Sequence, residues 1–473
     1  MFLSVLVSLK NGHDSALAAL LISFIITFTA GAFPFIFVRK NEAISLKDGY
    51  MIIFLSWVLS FIFGMLPYLL WGGPFTVINA WFESVSGFTT TGSSILENIE
   101  ALPDSLLFWR SSTHFIGGLG VVVFLLLIIP SSSPVKLRLA NMELSKLSKD
   151  GYMARANKTV RIFTYVYLGL AASAFLAYWI AGMSAFDAIN HAFSVCATGG
   201  FSTRNLSIAA FGSPVINIIT IFFMIAGSVH FGIIFLIFAT RSFAPIKNKI
   251  LRYYLMSIFI VSAIVAISLK MEGIEQTWGS AIMNGLFEVS AYTSTTGFAV
   301  TDNSMWPLLP CVLLMFMGIQ CGMAGSTTGG VKSDRMMFLI KAMVRQIKRS
   351  VNVSSINKIK VGNKYFTDEE VFPHILYITV FLVLIVISMV LCLMFGADNT
   401  NALSGTISSF TNVGPALGEI GSLGNYNCEP SMVKFIYTLD MLLGRLEIYP
   451  VIAAVSILLH RNKRHVGQTG AAL

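Results

Sequence analysis

Ten long apolar stretches are the feature that most restricts how this chain can fold. A helix needs about 20 largely apolar residues to cross a bilayer, and most of the stretches approach or exceed that length. They cover residues 16–38, 50–72, 107–130, 161–182, 214–240, 254–270, 307–321, 334–344, 373–396 and 432–459. Only 12% of the residues are charged, about half of the roughly 25% typical of soluble domains. These features predict an all-α polytopic membrane protein and exclude a water-soluble globule.

The stretches 307–321 and 334–344 are each too short to cross a membrane alone, and a polar, glycine-rich segment separates them. We interpret the pair as one broken helix. Its irregular middle must be shielded by protein or water, because lipid cannot satisfy free backbone groups.

Basic residues are distributed unevenly between the two sides of the membrane that alternating spans define. The loops on one side hold 25 of the 32 Lys and Arg residues. These loops cover residues 39–49, 131–161, 241–252, 335–371 and 460–473. The positive-inside rule makes this side cytoplasmic, and it explains the net charge of +9 without nucleic-acid binding. Two interpretations of the loops stay open: topology alone, or docking of a cytoplasmic partner or anionic lipid.

A short segment recurs four times, each time between the external ends of successive spans. The copies contain Ser86-Gly87-Phe88-Thr89-Thr90-Thr91-Gly92, Phe193-Ser194-Val195-Cys196-Ala197-Thr198-Gly199-Gly200, Thr293-Ser294-Thr295-Thr296-Gly297 and Ser408-Ser409-Phe410-Thr411-Asn412-Val413-Gly414. Two positions before the final glycine stands Thr, Thr, Thr or Asn. A fourfold repeat of span, re-entrant segment and span is the strongest signal in this sequence.

The physics of such a unit favours a cation. A helix of about ten residues that stops at mid-membrane leaves its last carbonyls without partners, and its negative dipole end favours positive charge. Glycine allows a positive φ, which turns a peptide oxygen toward the axis. Four copies around one axis would form a ring of oxygens that replaces the hydration shell of a monovalent cation.

Six motifs in chain order, spread over residues 40–465, carry a resemblance to a known family. They are Gly87-Phe88-Thr89-Thr90-Thr91-Gly92-Ser93, Ala197-Thr198-Gly199-Gly200-Phe201-Ser202-Thr203, Ser294-Thr295-Thr296-Gly297-Phe298, Ala324-Gly325-Ser326-Thr327-Thr328-Gly329-Gly330, Asn412-Val413-Gly414-Pro415 and Gly444-Arg445-Leu446-Glu447. Together they resemble the Trk/Ktr superfamily of bacterial potassium-uptake proteins, and most of all its Trk-type translocating subunit.

The resemblance implies a potassium filter in the bacterial inner membrane. The expected filter residues are Thr89, Thr90, Thr91, Gly92, Ala197, Thr198, Gly199, Gly200, Ser294, Thr295, Thr296, Gly297, Thr411, Asn412, Val413 and Gly414. It also implies a homodimer and a cytosolic nucleotide-binding regulatory subunit. We expect potassium as the transported ion and no covalently bound cofactor.

The segment inside the broken helix is the candidate gate, and similar broken segments serve as gates in the family. Its expected residues are Gly322, Ala324, Gly325, Ser326, Thr327, Thr328, Gly329, Gly330 and Lys332. A nucleotide-binding P-loop is excluded, because Val331 follows Gly330, Lys332 comes one position late, and no strand precedes the segment. The alternative to a flexible flap is a simple kink in the helix.

Arg445 lies within the last apolar stretch, where a charge is costly and indicates function. By resemblance to the family arginine it faces the pore beneath the filter. The alternative is a structural pair with Glu447 or Asp440. For Lys332, which is also charged, we expect the side chain to reach toward the cytoplasmic interface.

Other polar residues in the apolar stretches indicate packing more than chemistry. His114, His191 and His230 lack metal-ligand spacing, and we expect them to be hydrogen-bonded within the core. Glu83 and Glu288 occupy the same repeat position, where they either tie the filter backbone or deepen the outer potential. The five cysteines show no Cys-x-x-Cys spacing, so we expect free thiols. No catalytic cluster is evident, so we expect a protein that is not an enzyme.

The domain prediction follows from the repeats. Residues 1–48 form an N-terminal membrane segment, and the four repeats occupy residues 49–135, 136–241, 242–350 and 351–473. Residues 1–9 are too few to cross the membrane, although Trk-type relatives begin with a pair of extra spans. We expect either a start that is shorter than in the family or an external N-terminus.

Two rival functions stay open on the sequence alone. A secondary transporter of an organic solute would use the broken helix as its binding site, although such carriers commonly show two inverted halves. A membrane scaffold would have no need of polar Thr-Gly segments at mid-membrane depth. We therefore favour potassium uptake.

Overall fold

The computed structural model describes residues 1–37, 46–120, 156–351, 359–362 and 364–469, and these residues are mostly helical. The helices are α1 Phe2–Lys10, α2 Leu17–Phe37, α3 Leu46–Trp71, α4 Val77–Phe88, α5 Asp104–Leu119, α6 Ala156–Ile180, α7 Ala185–Ala197, α8 Pro214–Ser228, α9 Phe231–Thr240, α10 Lys249–Met271, α11 Trp278–Thr293, α12 Leu308–Gln320, α13 Ser333–Val351, α14 Asp368–Met394, α15 Asn399–Thr411, α16 Ser431–Leu446 and α17 Ile448–Thr469. The predicted all-α polytopic fold is confirmed.

One short β-hairpin departs from the all-α prediction. Strands β1 Ile359–Val361 and β2 Lys364–Phe366 pair antiparallel, with Ile359 opposite Phe366. The hairpin lies in a polar segment between α13 and α14, and Ile359 and Val361 pack against the buried side of α13.

The helices after the first two form four similar units. Each unit has a long outer helix (α3, α6, α10 or α14), a short pore helix (α4, α7, α11 or α15), a loop, and a second helix that begins at α5, α8, α12 or α16. Within the described part of the chain, five helices are long and apolar enough to cross a membrane: α2 and the four outer helices. Most of their side chains are at least partly exposed to the surroundings, as lipid-facing helices require.

Two of the second helices bend sharply within stretches that we expected to be single spans. Residues 214–240, which we expected as one span, form α8 and α9, bent by 102° at Val229 and His230. Residues 432–459 likewise form α16 and α17, bent by 112° at Glu447, whose φ is +63°. By length and composition each bent pair still passes as one broken span, so the two span predictions are not contradicted. What we did not predict is the bends, which fall at polar residues within the apolar stretches, Ser228 and His230 in the first and Arg445 and Glu447 in the second.

The break in the third unit matches the prediction. Helix α12 ends at Gln320 and α13 begins at Ser333. In the first unit α5 ends at Leu119. The rest of its predicted span, 121–130, lies outside the described residues, as do most of the predicted basic loops 39–49 and 131–161.

All four pore helices begin with a side-chain cap. Thr76, Ser184, Thr277 and Asp398 accept hydrogen bonds from the backbone N–H groups of Asn79, Asp187, Ser280 and Thr400 at distances of 3.3, 3.0, 3.1 and 3.0 Å. Such caps satisfy donors that a helix cannot satisfy itself. The pore helices are 12 to 16 residues long, and most of their side chains are buried, so they form the centre of the molecule.

The N-terminal helices pack on the outside of the first unit. Helix α1 has nine residues, too few to cross a bilayer, as predicted. The turn after it is held to the start of α5, because Asn11 donates to Asp104 at 2.8 Å and the Ser105 N–H donates to Asp14 at 3.2 Å.

Candidate ion pathway

The four repeated loops meet in a closed ring. A Cβ atom added to any of the four glycines would lie 2.0–2.4 Å from a carbonyl oxygen of the next loop. The pairs are Gly92 with Gly199, Gly200 with Thr296, Gly297 with Val413, and Gly414 with Thr91. Each oxygen belongs to the residue just before the next glycine, and the fourth loop closes on the first. We call the four glycines the glycine ring. Only glycine permits so close an approach of two backbones.

Each loop contains a second left-handed residue that is not glycine. The residues two positions before the glycines have φ values of +54° to +57°; they are Thr90, Thr198, Thr295 and Asn412. The glycines themselves have φ values of +66° to +100°. A threonine in this region is rare and costs roughly 1–3 kcal/mol, so its recurrence in three loops indicates a conformation that the surrounding packing enforces. The sequence pointed to the positions of these residues but not to their backbone conformation.

The hydroxyl groups of the first and third loops pair in the same way. Thr89 and Thr91 lie 2.8 Å apart at their Oγ1 atoms, and the Ser294 and Thr296 hydroxyl oxygens lie 2.7 Å apart. In both loops a short hydroxyl contact therefore spans the left-handed residue and braces the turn.

Asn412 in the fourth loop does something that a threonine at this position could not do. Its amide donates to Thr91 Oγ1 of the first loop and to the Met441 carbonyl of α16, both at 2.9 Å. Asparagine also tolerates positive φ better than most residues. The residue that breaks the fourfold pattern in the sequence therefore joins the last loop to the first.

A second recurring position lies nine residues before each glycine, on the pore helix. Glu83 accepts a hydrogen bond from the Ile95 N–H, and Glu288 accepts one from the Val300 N–H, both at 3.2 Å. His191 contacts Ser202 at 2.9 Å. Of the two functions considered for the glutamates, the structure supports tying the backbone that follows the loop.

Only the first of these glutamates has a cationic partner among the described residues. Arg110 Nε lies 2.8 Å from Glu83 Oε1, and both side chains are at most 1% exposed. Arg110 also donates to the Ser202 carbonyl of the second loop at 3.3 Å and stacks over Phe201 at 4.0 Å. We did not predict a role for this residue from the sequence, because 27 positions separate the two partners and no local pattern links them.

A cavity opens outside the glycine ring. It comprises roughly 670 Å³ of empty space, part of it open to solvent, and its lining includes all four ring glycines together with Glu97, Arg110 and Arg204. Arg204 is paired with Asp187 at 2.7 Å, and this hydrogen bond raises the pKa of Arg204. Both arginines of the lining are paired with carboxylates, and Glu97 is its one acidic side chain among the described residues.

The segment inside the broken helix lies directly beneath the ring. We call residues 322–332 the flap. Thr327 Oγ1 donates to the Cys196 carbonyl at 3.2 Å and to the Gly227 carbonyl at 3.1 Å, and the Gly329 N–H donates to Thr295 Oγ1 at 3.3 Å. The flap thus touches the second and third units from below.

The flap is a folded loop with its own hydrogen bonds. Asp334 accepts from the Ala324 N–H, and Ser326 Oγ donates to the Met323 carbonyl, both at 2.6 Å. Gly325 and Gly330 have φ values of +81° and +64°. A kink would displace one helical turn, whereas this segment leaves helical geometry altogether, and most of it is buried.

Arg445 reaches the flap from the last unit. Its Nη1 donates to the Thr327 carbonyl, and its Nη2 donates to the Gly117 carbonyl of α5 at 2.7 Å. The two carboxylates considered as its partners are engaged elsewhere: Glu447 pairs with Arg335 at 2.9 Å, and Asp440 accepts from Ser388 at 2.5 Å. The arginine therefore stands at the level of the flap, at the end of α16 and not in mid-helix.

Lys332 does not extend toward the cytoplasm, so that expectation is wrong. Its ammonium group donates to the Thr328 carbonyl and, at 3.2 Å, to Thr328 Oγ1. The left-handed backbone of Lys332, with φ +79°, turns the chain back over the flap and keeps the side chain with it.

The histidines and cysteines have the packing roles that we expected. His114 lies 3.3 Å from Ser194 Oγ and stacks on Phe201, and His230 accepts from the Gly232 N–H at 2.9 Å. The cysteines are free thiols, and all but Cys428 are buried. No group of three or more His, Cys, Asp or Glu side chains that could hold a metal ion occurs in the described residues.

Comparison with known proteins places this architecture in one family. The model of the family TrkH, described as cation transport protein, matches residues 16–261 and 250–465. The Trk system potassium uptake protein TrkH of Escherichia coli K12 is 30% identical over 88% of this chain and 86% of its own length. TrkI of Halomonas elongata is 31% identical over 98% and 94%. The crystal structure of the potassium transporter TrkH from Vibrio parahaemolyticus superposes with a TM-score of 0.85 at 30% identity, covering 95% of this chain and 94% of that one.

Proposed function

Because this chain belongs to the TrkH family of cation transport proteins and is a multi-pass protein of the inner membrane, we propose that it takes up potassium through the centre of its loop ring. The curated relatives are named potassium uptake proteins. The proposal transfers that substrate to this chain and assigns it a route.

The closed ring of glycines is the observation that supports this route most strongly. Four backbone segments with alternating left-handed residues approach one another so closely that no Cβ fits between them. Four pore helices end at the same place and direct their negative dipole ends toward it. Carbonyl oxygens so arranged replace water around a dehydrated cation, whereas an anion would meet repulsion.

The proposed filter consists of four runs of residues, 89–92, 197–200, 294–297 and 411–414. Potassium enters from the outer cavity, loses water among the oxygens of these runs, and moves inward along the membrane potential. That potential contributes about 2.3 kcal/mol per charge for each 100 mV.

The proposed gate is the flap with Arg445. The flap occupies the space beneath the second and third loops. Arg445 links it to the opposite side of the pathway, because its guanidinium group donates to the carbonyls of both Thr327 and Gly117. Flux would then require the flap to leave this position. The positive charge of Arg445 adds an electrostatic barrier at the same level.

The remaining parts of the proposal concern assembly. We propose a homodimer, regulated by a cytosolic nucleotide-binding subunit, with the basic cytoplasmic surface in contact with that subunit or with anionic lipid. The transported ion is cargo, so the proposal requires no covalently bound cofactor and no enzymatic step.

Uptake of radioactive rubidium into vesicles containing the purified protein tests this function. We expect uptake that unlabelled potassium suppresses and that sodium suppresses less well. A panel of organic solutes should have no effect on it. Inhibition by one of these solutes would favour a solute carrier that binds at the broken helix, and an absence of any rubidium uptake would leave only a scaffold.

A further inference from the structure

The fourth loop differs from the other three at the outer end of the ring. The Gly414 carbonyl oxygen accepts two hydrogen bonds, from Tyr426 Oη at 2.8 Å and from Ser93 Oγ at 3.1 Å. No donor among the described residues contacts the carbonyl oxygens of Gly92, Gly200 or Gly297. The four ring glycines are therefore equivalent in backbone shape but not in the availability of their oxygens.

Two donors saturate a carbonyl oxygen. Such an oxygen carries two lone pairs, and hydrogen bonds of normal length occupy both at Gly414. The oxygen can coordinate a cation only by giving up at least one of these bonds. The equivalent oxygens of the other three loops carry no such cost.

Both donors are buried and held in place by other contacts. Tyr426 and Ser93 are each 2% exposed. The Tyr426 N–H donates to the Ser94 carbonyl at 2.8 Å, and its ring packs on Phe82 at a centroid distance of 5.4 Å. Tyr426 lies twelve residues after the glycine, in a segment between the fourth loop and α16.

We propose that Tyr426, together with Ser93, is a positioning residue that withdraws the Gly414 oxygen from ion coordination, so that the outermost ring offers three free oxygens instead of four. The inference rests on the proposed function, since it concerns the ion that passes this ring. It assigns selectivity at the outer end of the filter to a side chain outside the repeated motif.

The direction of the effect follows from the number of ligands. A larger cation accepts more oxygens at longer distances, and the number of carbonyl dipoles is one of the quantities that sets preference between potassium and sodium. Release of the fourth oxygen should therefore shift preference toward the larger ion.

The test compares Y426F, the double variant Y426F/S93A and the control Y437F. Tyr437 is a buried neighbour whose ring centroid lies 5.7 Å from that of Tyr426. Its hydroxyl donates to the Asn401 carbonyl, not to a ring oxygen. The measurement is the concentration of potassium, and separately of sodium, that halves rubidium uptake into vesicles.

We expect the sodium-to-potassium ratio of these concentrations to rise about threefold in the double variant, which corresponds to roughly 0.6 kcal/mol. We expect a smaller rise in Y426F and no change in Y437F. An unchanged ratio in Y426F and the double variant would overturn the inference. A lower ratio would overturn it as well, because it would mean that the two hydrogen bonds serve only to stiffen the loop.

Failure of the proposed function gives a different result, since the wild-type protein would then take up no rubidium at all. If the double variant does not fold, Y426F decides the matter alone. Its ratio is measured on protein whose thermal unfolding midpoint matches that of Y437F.

Discussion

The outer and inner halves of the proposed pathway differ in how they are built. The outer half uses one design four times, with capped pore helices, a left-handed residue and a ring glycine in every unit. The inner half uses features that occur once in the described residues: the flap of the third unit and Arg445 of the fourth. Repetition suits a ring of ligands around an ion, whereas a gate needs a single part that moves against fixed neighbours.

The difference also appears in what holds each half together. The glycine ring is fixed by backbone contacts so close that a methyl group would not fit. The flap is held by hydrogen bonds, both from its backbone, as between the Met323 N–H and the Ser228 carbonyl at 2.9 Å, and from the side chains of Thr327 and Arg445. We therefore expect substitutions in the glycine ring to cause a large loss of ion preference. Substitutions in the flap or at Arg445 should change the rate of uptake by smaller factors.

The largest effect on ion transport should come from the glycine ring. In G92A the new Cβ would lie 2.0 Å from the Gly199 oxygen, so the loops must separate. We expect the potassium-to-sodium preference in vesicle uptake to fall at least tenfold, or about 1.4 kcal/mol, and G297A to behave alike. The control is G273A, because Gly273 also has a positive φ, +74°, but nothing within 4 Å of its Cβ position. Equal preference in G92A and G273A would contradict the assignment of the ring.

The largest effect on stability tests whether the repeats are energetically equal. In E83Q the buried Arg110 loses its counter-charge, which typically costs 3–5 kcal/mol. In E288Q no cationic partner is stranded, and we expect a loss of about 1 kcal/mol. Thermal unfolding of the two variants in detergent measures the difference. A midpoint lowered equally in both would mean that the Glu83–Arg110 pair gives the first unit no special role.

Removal of the flap should produce an intermediate effect. Deletion of residues 324–330 leaves the glycine ring intact but clears the space beneath it. We expect faster rubidium uptake, by about tenfold or 1.4 kcal/mol in barrier height, with the ion preference unchanged. A T327V variant, which loses only the hydroxyl contacts of the flap, serves as the milder comparison. Constant uptake in both would show that the flap is not the gate.

The smallest effect should follow from removing the charge of Arg445. R445Q keeps a side chain able to donate to the Thr327 carbonyl but removes the positive charge. We expect uptake to rise about threefold, or roughly 0.6 kcal/mol. The control R349Q removes an exposed charge at the end of α13. If R445Q leaves uptake unchanged while R445A raises it, Arg445 acts through its hydrogen bond to the flap and not as an electrostatic barrier.

The sequence predicted the repeated half of the molecule well. Four copies of one segment reveal their common position, and glycine at a fixed place in each copy indicates a shared backbone geometry. The left-handed Thr90, Thr198 and Thr295 were not foreseen, because no propensity favours threonine there. Only the packing of four loops around one axis enforces that conformation.

The single-copy features were harder to predict. The flap and Arg445 stood out because polar residues are unusual in apolar stretches, but these residues do not specify the sharp bend at Glu447. The pairs Glu83–Arg110 and Arg335–Glu447 join distant parts of the chain. Such contacts depend on how the units are arranged in space, which a single sequence does not specify.

The junction between the fourth loop and the first has a consequence for synthesis. Gly414 lies against the carbonyl of Thr91, and Asn412 bonds to the side chain of the same residue, so the first and the fourth units meet in the ring. In the proposed pathway the ring therefore closes only after the fourth unit has been translated, because the first three loops alone leave the side between Gly297 and Gly92 open. A chain that ends before this unit would lack one quarter of the proposed ligands.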